Sequence, residues 1–252
     1  MFYNKLDDCF DLCLKYEKFK FTNFYDEFGL SDAILYCEKN FYNKYITFGG
    51  KNNCQRQIIG FSPEFIEHKN TINYNSIFPI KCVCFEFCKN FNNKEISHPD
   101  VLGSIMAQNI KREMIGDIII FDEKAYIFCC ESVSNVLLDI DSIGKRTVKA
   151  FVCDDISLLE NSQKNFLEYK ITISSLRIDN IISKFINVSR EQANQLIKQK
   201  SILINGIICE KSSKNVIEND IITIKQYGKY IVEDVLGYSK KGKIILQYKK
   251  FN

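Results

Sequence analysis

Residues 176–225 of this 252-residue chain carry the pattern that most restricts its fold: two short amphipathic helices that lead straight into an Asn-Gly hairpin. Ile178, Ile181, Ile182 and Phe185 recur at i, i+3, i+4 and i+7, so they bury one helix face and leave Arg177 and Lys184 off it. After Asn187-Val188 a second helix is predicted from Ser189. Its hydroxyl is placed to accept from the amide three residues on, while Gln192 reaches back, which is the capping box. Ala193, Leu196 and Ile197 form the buried stripe of that helix, and Arg190, Gln195, Lys198 and Lys200 are left to point outward. Two apolar arms then flank Asn205-Gly206, the strongest short hairpin signal, and residues 220–224 supply another strand.

Charge is distributed unevenly around this segment. From Thr172 onward there are 14 Lys+Arg and 7 Asp+Glu, a net of +7; the remainder holds 20 basic and 24 acidic residues (34 − 14 and 31 − 7), a net of −4. A basic C-terminal module on a slightly acidic body favours a polyanionic partner, because Lys and Arg gain affinity by neutralising phosphates. The free amides at the start of the second helix, with Arg190 beside them, point the same way.

Other partners and compartments are disfavoured. No apolar run approaches the roughly 18 residues that span a bilayer, and Asp7, Asp8 and Asp11 break any signal or transit peptide at the N-terminus. A cytoplasmic protein with no membrane partner is expected. The eleven cysteines are odd in number and contain no Cys-x-x-Cys, so neither a disulfide framework nor a zinc site is expected, and Cys82 and Cys84 read as small apolar groups on one strand face. The two histidines, His68 and His98, lie near no such pair; His98 precedes Pro99 at a helix start and reads as capping or packing. No metal or organic cofactor is expected.

The rest of the chain reads as an α+β protein in three parts. Residues 1–75 form a mostly helical N-terminal domain dense in Phe and Tyr, with helices over residues 6–19 and 31–40 and a loop at 49–53. Its aromatics read as core, with a docking face as the alternative. Residues 76–155 follow the order β-α-β-β-α-β: a strand at 80–87, a helix at 100–110, a hairpin of 118–121 and 125–130, a helix capped by Ser132 with Val133, Val136, Leu137 and Ile140 on its apolar face, and a closing strand at 148–153. That order is the ferredoxin-like, RRM-like sandwich. Its third strand reads Ala125-Tyr126-Ile127-Phe128-Cys129-Cys130 and lacks the aromatic pattern with which RNA-recognition domains stack bases. Residues 154–170 read as a connector, and the third domain is placed at 171–252.

The collinear pattern Leu176-Arg177-Ile178-Asp179, then Ser189-Arg190-x-x-Ala193, then Ile204-Asn205-Gly206, then Asp220-x-Ile222 resembles the alpha-L, or S4-like, RNA-binding motif. One departure is Lys200, where the motif usually has Gly for a left-handed turn that lysine tolerates poorly. Phe48-Gly49-Gly50, Gln55-Arg56, residues 98–105, the stretch Lys111-Arg112-Glu113-Met114-Ile115-Gly116-Asp117 and the C-terminal module are together similar to the YlmH family. That resemblance implies RNA binding without catalysis on the large ribosomal subunit, with rRNA and tRNA as partners, and in some members a part in ribosome quality control of stalled translation.

Expected site residues follow. Arg177, Arg190, Lys198 and Lys200 supply phosphate contacts, Ser189, Gln195 and Asn205 position the helix and hairpin, and the resemblance adds Lys111 and Arg112. A monomer is expected. Two rival readings remain: an RNA-modifying enzyme, since alpha-L modules are often appended to pseudouridine synthases and methyltransferases, and a protein-binding adaptor using the aromatic N-terminal face. Against the first, no glycine-rich turn follows a strand to take a methyl-donor cofactor, and Asp179 sits where the binding motif places its own Asp.

Overall fold

The computed structural model describes residues 3–66, 72–88, 96–160 and 166–251; His68 lies outside them. Two compact units, 1–162 and 163–252, divide the chain.

In the first unit, helices α1 (Asn4–Tyr16) and α2 (Glu27–Asn40) accompany strands β1 (Lys20–Phe21), β2 (Tyr45–Phe48) and β3 (Ile58–Phe61), ordered β1-β3-β2. The small sheet was not read from the sequence. The helix α2 begins four residues earlier than its apolar spacing implied, because Asp26 caps it: Gly29 N–H donates to Asp26 Oδ1 at 2.7 Å. Leu6, Cys13, Leu30, Phe41, Ile59 and Phe61 form the local core, in which Phe41 and Phe61 meet edge to face at 5.3 Å.

A short helix α3 (Tyr74–Ile77) leads into β4 (Ile80–Phe87), α4 (His98–Met106), β5 (Ile115–Phe121), β6 (Lys124–Cys130), α5 (Ser134–Leu138), β7 (Ser142–Ile143), β8 (Arg146–Val152) and α6 (Ser157–Glu160). Sheet order is β5-β6-β4-β8-β7, the arrangement expected of the β-α-β-β-α-β sequence with a two-residue strand added at one edge. Asp122 and Glu123 turn the β5–β6 hairpin with φ of 51° and 56°, the left-handed pair that a two-residue turn requires.

Two local expectations need correction. Ser132 does not cap α5: it lies in a 3-10 turn, Glu131–Val133, where Ser134 Oγ donates to Glu131 O at 2.8 Å, and Val136 is exposed. His98 does not cap α4 either. Ser97 is the N-cap, its N–H donating to Asp100 Oδ2 at 2.9 Å, and His98 is solvent-exposed, with partial desolvation and then the charge of Arg112 depressing its pKa.

Both faces of the five-stranded sheet are covered. On one, Val83, Phe85, Ile127 and Cys129 pack with Val101 and Ile105 of α4 and Leu137 of α5. On the other, Cys82, Cys84, Tyr126 and Phe128 pack against Phe24, Ile46 and Ile58 from the N-terminal segment. Phe128 is 1% exposed. Gly50, at φ 105°, lies so close to that ring that a Cβ there would stand 2.2 Å from Phe128 Cδ1. Only glycine tolerates both the angle and the contact. All eleven cysteines are free, eight of them are buried as core groups, and burial pushes the Cys129 thiol up to about 12.

The second unit comprises β9 (Phe166–Ile173), α7 (Ile178–Phe185), α8 (Arg190–Lys198), β10 (Ile202–Ile204), β11 (Ile207–Ile208), β12 (Ile221–Ile224), β13 (Gly228–Tyr238) and β14 (Ile244–Phe251). Its six-stranded sheet runs β11-β10-β12-β13-β14-β9. Ile178, Ile181, Ile182 and Phe185 of α7, with Ala193 and Ile197 of α8, bury against Ile202, Ile204, Ile222, Ile224 and Tyr248 from the sheet. That apolar burial, at about 25 cal/mol per Å², holds the helix pair on the sheet. Part of the stretch read as a connector is a strand: 166–173 pair along their whole length with β14, Phe251 to Ile244.

Candidate nucleic-acid interface

The helix pair meets at one carboxylate. Arg177, the N-cap of α7, donates from Nε to Asp179 Oδ1 and from Nη2 to Oδ2, both at 3.2 Å, and Arg190 at the start of α8 donates from Nη2 to Oδ2 at 2.7 Å. The Asp179 side chain is 3% exposed, whereas those of Arg177 and Arg190 are 42% and 53% exposed. Burial alone raises a carboxyl pKa. Here the hydrogen bonds and charges of the two guanidiniums outweigh it and hold Asp179 below the usual carboxylate range. Asp179 also accepts the Asn180 N–H at 2.9 Å, so its lone pairs are well satisfied. One buried anion thus fixes one edge of each of two guanidiniums whose side chains stay about half exposed. Each guanidinium has five N–H donors, of which Arg177 uses two and Arg190 one, which leaves donors on both forks for a phosphate.

Local chemistry secures the elements that carry these arginines. Ser189 and Gln192 make both halves of the predicted capping box, with Gln192 N–H donating to Ser189 Oγ at 3.1 Å and Ser189 N–H to Gln192 Oε1 at 3.0 Å. Gln195 and Lys198 are exposed on α8. Lys200, although a lysine, keeps the left-handed conformation for which the motif usually has Gly, at φ 54°, and its ammonium lies 3.2 Å from Glu210 Oε1. Asn205, at φ 53°, ties the hairpin to β12: its Nδ2 donates to Asp220 Oδ1 at 2.7 Å and its Oδ1 accepts from Ile221 N–H at 2.8 Å. Sequence reasoning missed Asp220 as the anchor of that turn, although a buried Asp just before an apolar strand was a signal.

In the middle domain the two predicted cations part company. Lys111 is exposed. Arg112 is half-buried, and its Nη1 donates to Ile115 O at 2.6 Å and Gly116 O at 3.4 Å. Burial, and then the neighbouring charge of Arg56, push its pKa down to about 10. Arg56 likewise donates from Nε to Ile115 O at 2.9 Å and from Nη2 to Phe24 O at 3.4 Å. Asp117 accepts the Gln55 and Arg56 amides at 2.7 and 2.9 Å. The Lys-Arg-Glu-Met-Ile-Gly-Asp stretch therefore braces the Gly49-Gly50 loop against the sheet.

Residues 75–154 match the family described as "Putative RNA-binding domain in YlmH", and residues 176–222 match the S4 domain. The chain carries a YlmH-type RNA-binding domain followed by an S4 domain. The resemblance drawn from the sequence is borne out in both segments. A curated relative, "Ribosome-associated protein quality control protein P2" of Bacillus subtilis (strain 168), is 26% identical over 167 residues, which cover 66% of this chain and 62% of that protein. The match thus spans less than two thirds of the relative. Among solved structures, "Cell division protein ylmH from Streptococcus pneumoniae" is 17% identical with a TM-score of 0.49, covering 62% of this chain and 91% of that one.

Among the described residues, no helix is long and apolar enough to cross a membrane, and no three His, Cys, Asp or Glu side chains are grouped to hold a metal.

Proposed function

We propose that this chain binds structured RNA without acting chemically on it, and that its target is rRNA together with tRNA on the large ribosomal subunit, in quality control of stalled translation. The observation that carries the reading is the Asp179-anchored pair Arg177 and Arg190 inside a matched S4 domain. Two forks held at fixed spacing with donors to spare suit a folded phosphate backbone, because they lose little entropy on binding. The ribosomal target and the quality-control role draw on the name of the Bacillus relative. Lys198, exposed at the far end of α8 from Arg190, adds cationic charge, with Gln195 exposed on the same helix and Lys200, paired with Glu210, just beyond it.

The rival reading as a pseudouridine synthase gains nothing from Asp179. A catalytic carboxylate must reach its substrate, and this one is buried and bound to two arginines.

Arg190→Glu places like charge against phosphate and tests the proposal. The variant is expected to leave the ribosomal fractions of a sucrose gradient at physiological salt, while wild type co-sediments with large subunits. Unchanged co-sedimentation would remove this site from the reading.

A further inference from the structure

The S4 match ends at residue 222, yet the fold continues into the long hairpin β13–β14, and the tip of that hairpin has an unusual surface. Tyr238 is 71% exposed, the most exposed large hydrophobic side chain among the described residues. Directly after it come Ser239-Lys240-Lys241-Gly242-Lys243, and all three lysines are exposed. Among the described residues none of the three forms an ion pair. Lysines elsewhere on the same sheet are treated differently: Lys249 lies between Glu168, at 3.4 Å, and Glu233.

The turn that displays these lysines is locked. Ser239 N–H donates to Lys243 O at 2.7 Å, Gly242 N–H to Ser239 O at 2.9 Å, and Lys243 N–H to Ser239 Oγ at 3.1 Å, with Gly242 at φ 70°. Tips of hairpins often carry lysine for solubility alone. Solubility does not require a bared tyrosine beside them, and an aromatic ring among uncompensated cations is the combination that grips single-stranded nucleic acid.

The tip also lies at the right end of the sheet. Ile244 pairs with Ile173, and β9 runs from Ile173 into Arg177 within four residues. Those four residues reach at most about 14 Å, and paired strands stand about 5 Å apart, so one RNA can meet both the tip and the arginine pair.

We propose that the β13–β14 tip is a second RNA contact, in which Tyr238 stacks on an unpaired base while Lys240, Lys241 and Lys243 hold the flanking phosphates. The proposal rests on the reading of the chain as an RNA binder. Its test is fluorescence anisotropy of the full chain with labelled bulk transfer RNA across a salt series. The triple variant Lys240→Glu, Lys241→Glu, Lys243→Glu is expected to flatten the slope of log K against log salt by about 2. Tyr238→Ala is expected to weaken binding about tenfold through lost stacking, with Tyr238→Phe within twofold of wild type. If Arg190→Glu weakens binding while the triple variant keeps the wild-type slope, or while Tyr238→Ala binds within twofold of wild type, the tip is no contact although the helix-pair site stands. A loss in Tyr238→Phe equal to that in Tyr238→Ala overturns the stacking role. Wild type that shows no salt-dependent binding to transfer RNA or to purified large subunits overturns this proposal and the parent reading together.

Discussion

The two RNA-binding domains of this chain put their arginines to opposite uses. In the S4 domain, Arg177 and Arg190 lean on the buried carboxylate of Asp179 and keep their heads half in solvent. At the middle domain, its Arg112 and, from the N-terminal segment, Arg56 turn their guanidiniums onto the backbone carbonyls of Phe24, Ile115 and Gly116. The difference lies in burial rather than in donors spent: Arg177 and Arg112 each make two such hydrogen bonds, but the side chain of the first stays exposed over a buried carboxylate and the second is half-buried among carbonyls. The lesson is that a basic dipeptide such as Lys111-Arg112 is a contact or a brace according to what its hydrogen bonds reach. A second contrast runs alongside: RNA-recognition sheets bare their central strands to bases, but here Tyr126 and Phe128 lie under the N-terminal segment.

The largest effect is expected where that covered face is sealed. Gly50→Val adds a left-handed strain and a clash with the Phe128 ring, 2.2 Å from the new Cβ. Strain and overpacking together should cost the unit 1–162 roughly 4 kcal/mol in urea denaturation. Wild-type stability in this variant would mean that the ring swings aside and the face opens, which would restore base stacking there as a live possibility and erase the contrast between the domains.

An arginine exchange tests the comparison itself, at roughly 1–2 kcal/mol for each arm. Arg112→Gln gives up hydrogen bonds to Ile115 O and Gly116 O, so it is expected to lower stability and leave RNA affinity nearly unchanged. Arg190→Gln is expected to do the reverse, with affinity falling about tenfold and the unfolding midpoint moving little. Anisotropy and denaturation on the same two variants decide the matter. If Arg112→Gln proves the weaker RNA binder, the middle domain contacts RNA through the arginine assigned here to bracing.

How much of this was legible in the sequence depended on the range of each interaction. The Ser189–Gln192 box, the Asn205-Gly206 turn and the stripe of α7 are decided within about four residues and were read directly, whereas Lys200 stood out as a departure from the motif and yet keeps the left-handed turn. The strand β9 was missed because its partner lies some eighty residues on, and the mixed polar stretch around it gave no period. The three-stranded N-terminal sheet escaped for a similar reason: strands of two and four residues are too short to alternate visibly. Lys111 and Arg112 look alike in sequence, and only the position of the Ile115 and Gly116 carbonyls separates them. Asp179 was visible as a motif residue, but its two partners come from different helices, so its role as their anchor required the fold.

The smallest expected effect probes that anchor. Asp179 has its carboxyl pKa held below the unfolded value, with burial opposing and the two guanidiniums prevailing. A depressed folded pKa means that the unfolded chain binds the proton more readily, so the contribution of this group to stability is complete above the unfolded pKa of about 3.9. It is lost as pH falls through the folded pKa. Because both arginines are about half exposed, the contribution is on the order of 1 kcal/mol. Asp179→Asn keeps the shape and removes the charge. The stability gap between wild type and Asp179→Asn, read from urea midpoints of the 163–252 transition, is expected to be full at pH 6 and to narrow steadily below pH 4. RNA affinity of Asp179→Asn should fall at pH 7, since its arginines lose their common reference point. A gap that stays constant with pH would show that the carboxylate acts as a neutral spacer. The two arginines would then be oriented by packing alone, and the difference drawn between the domains would narrow to one of burial.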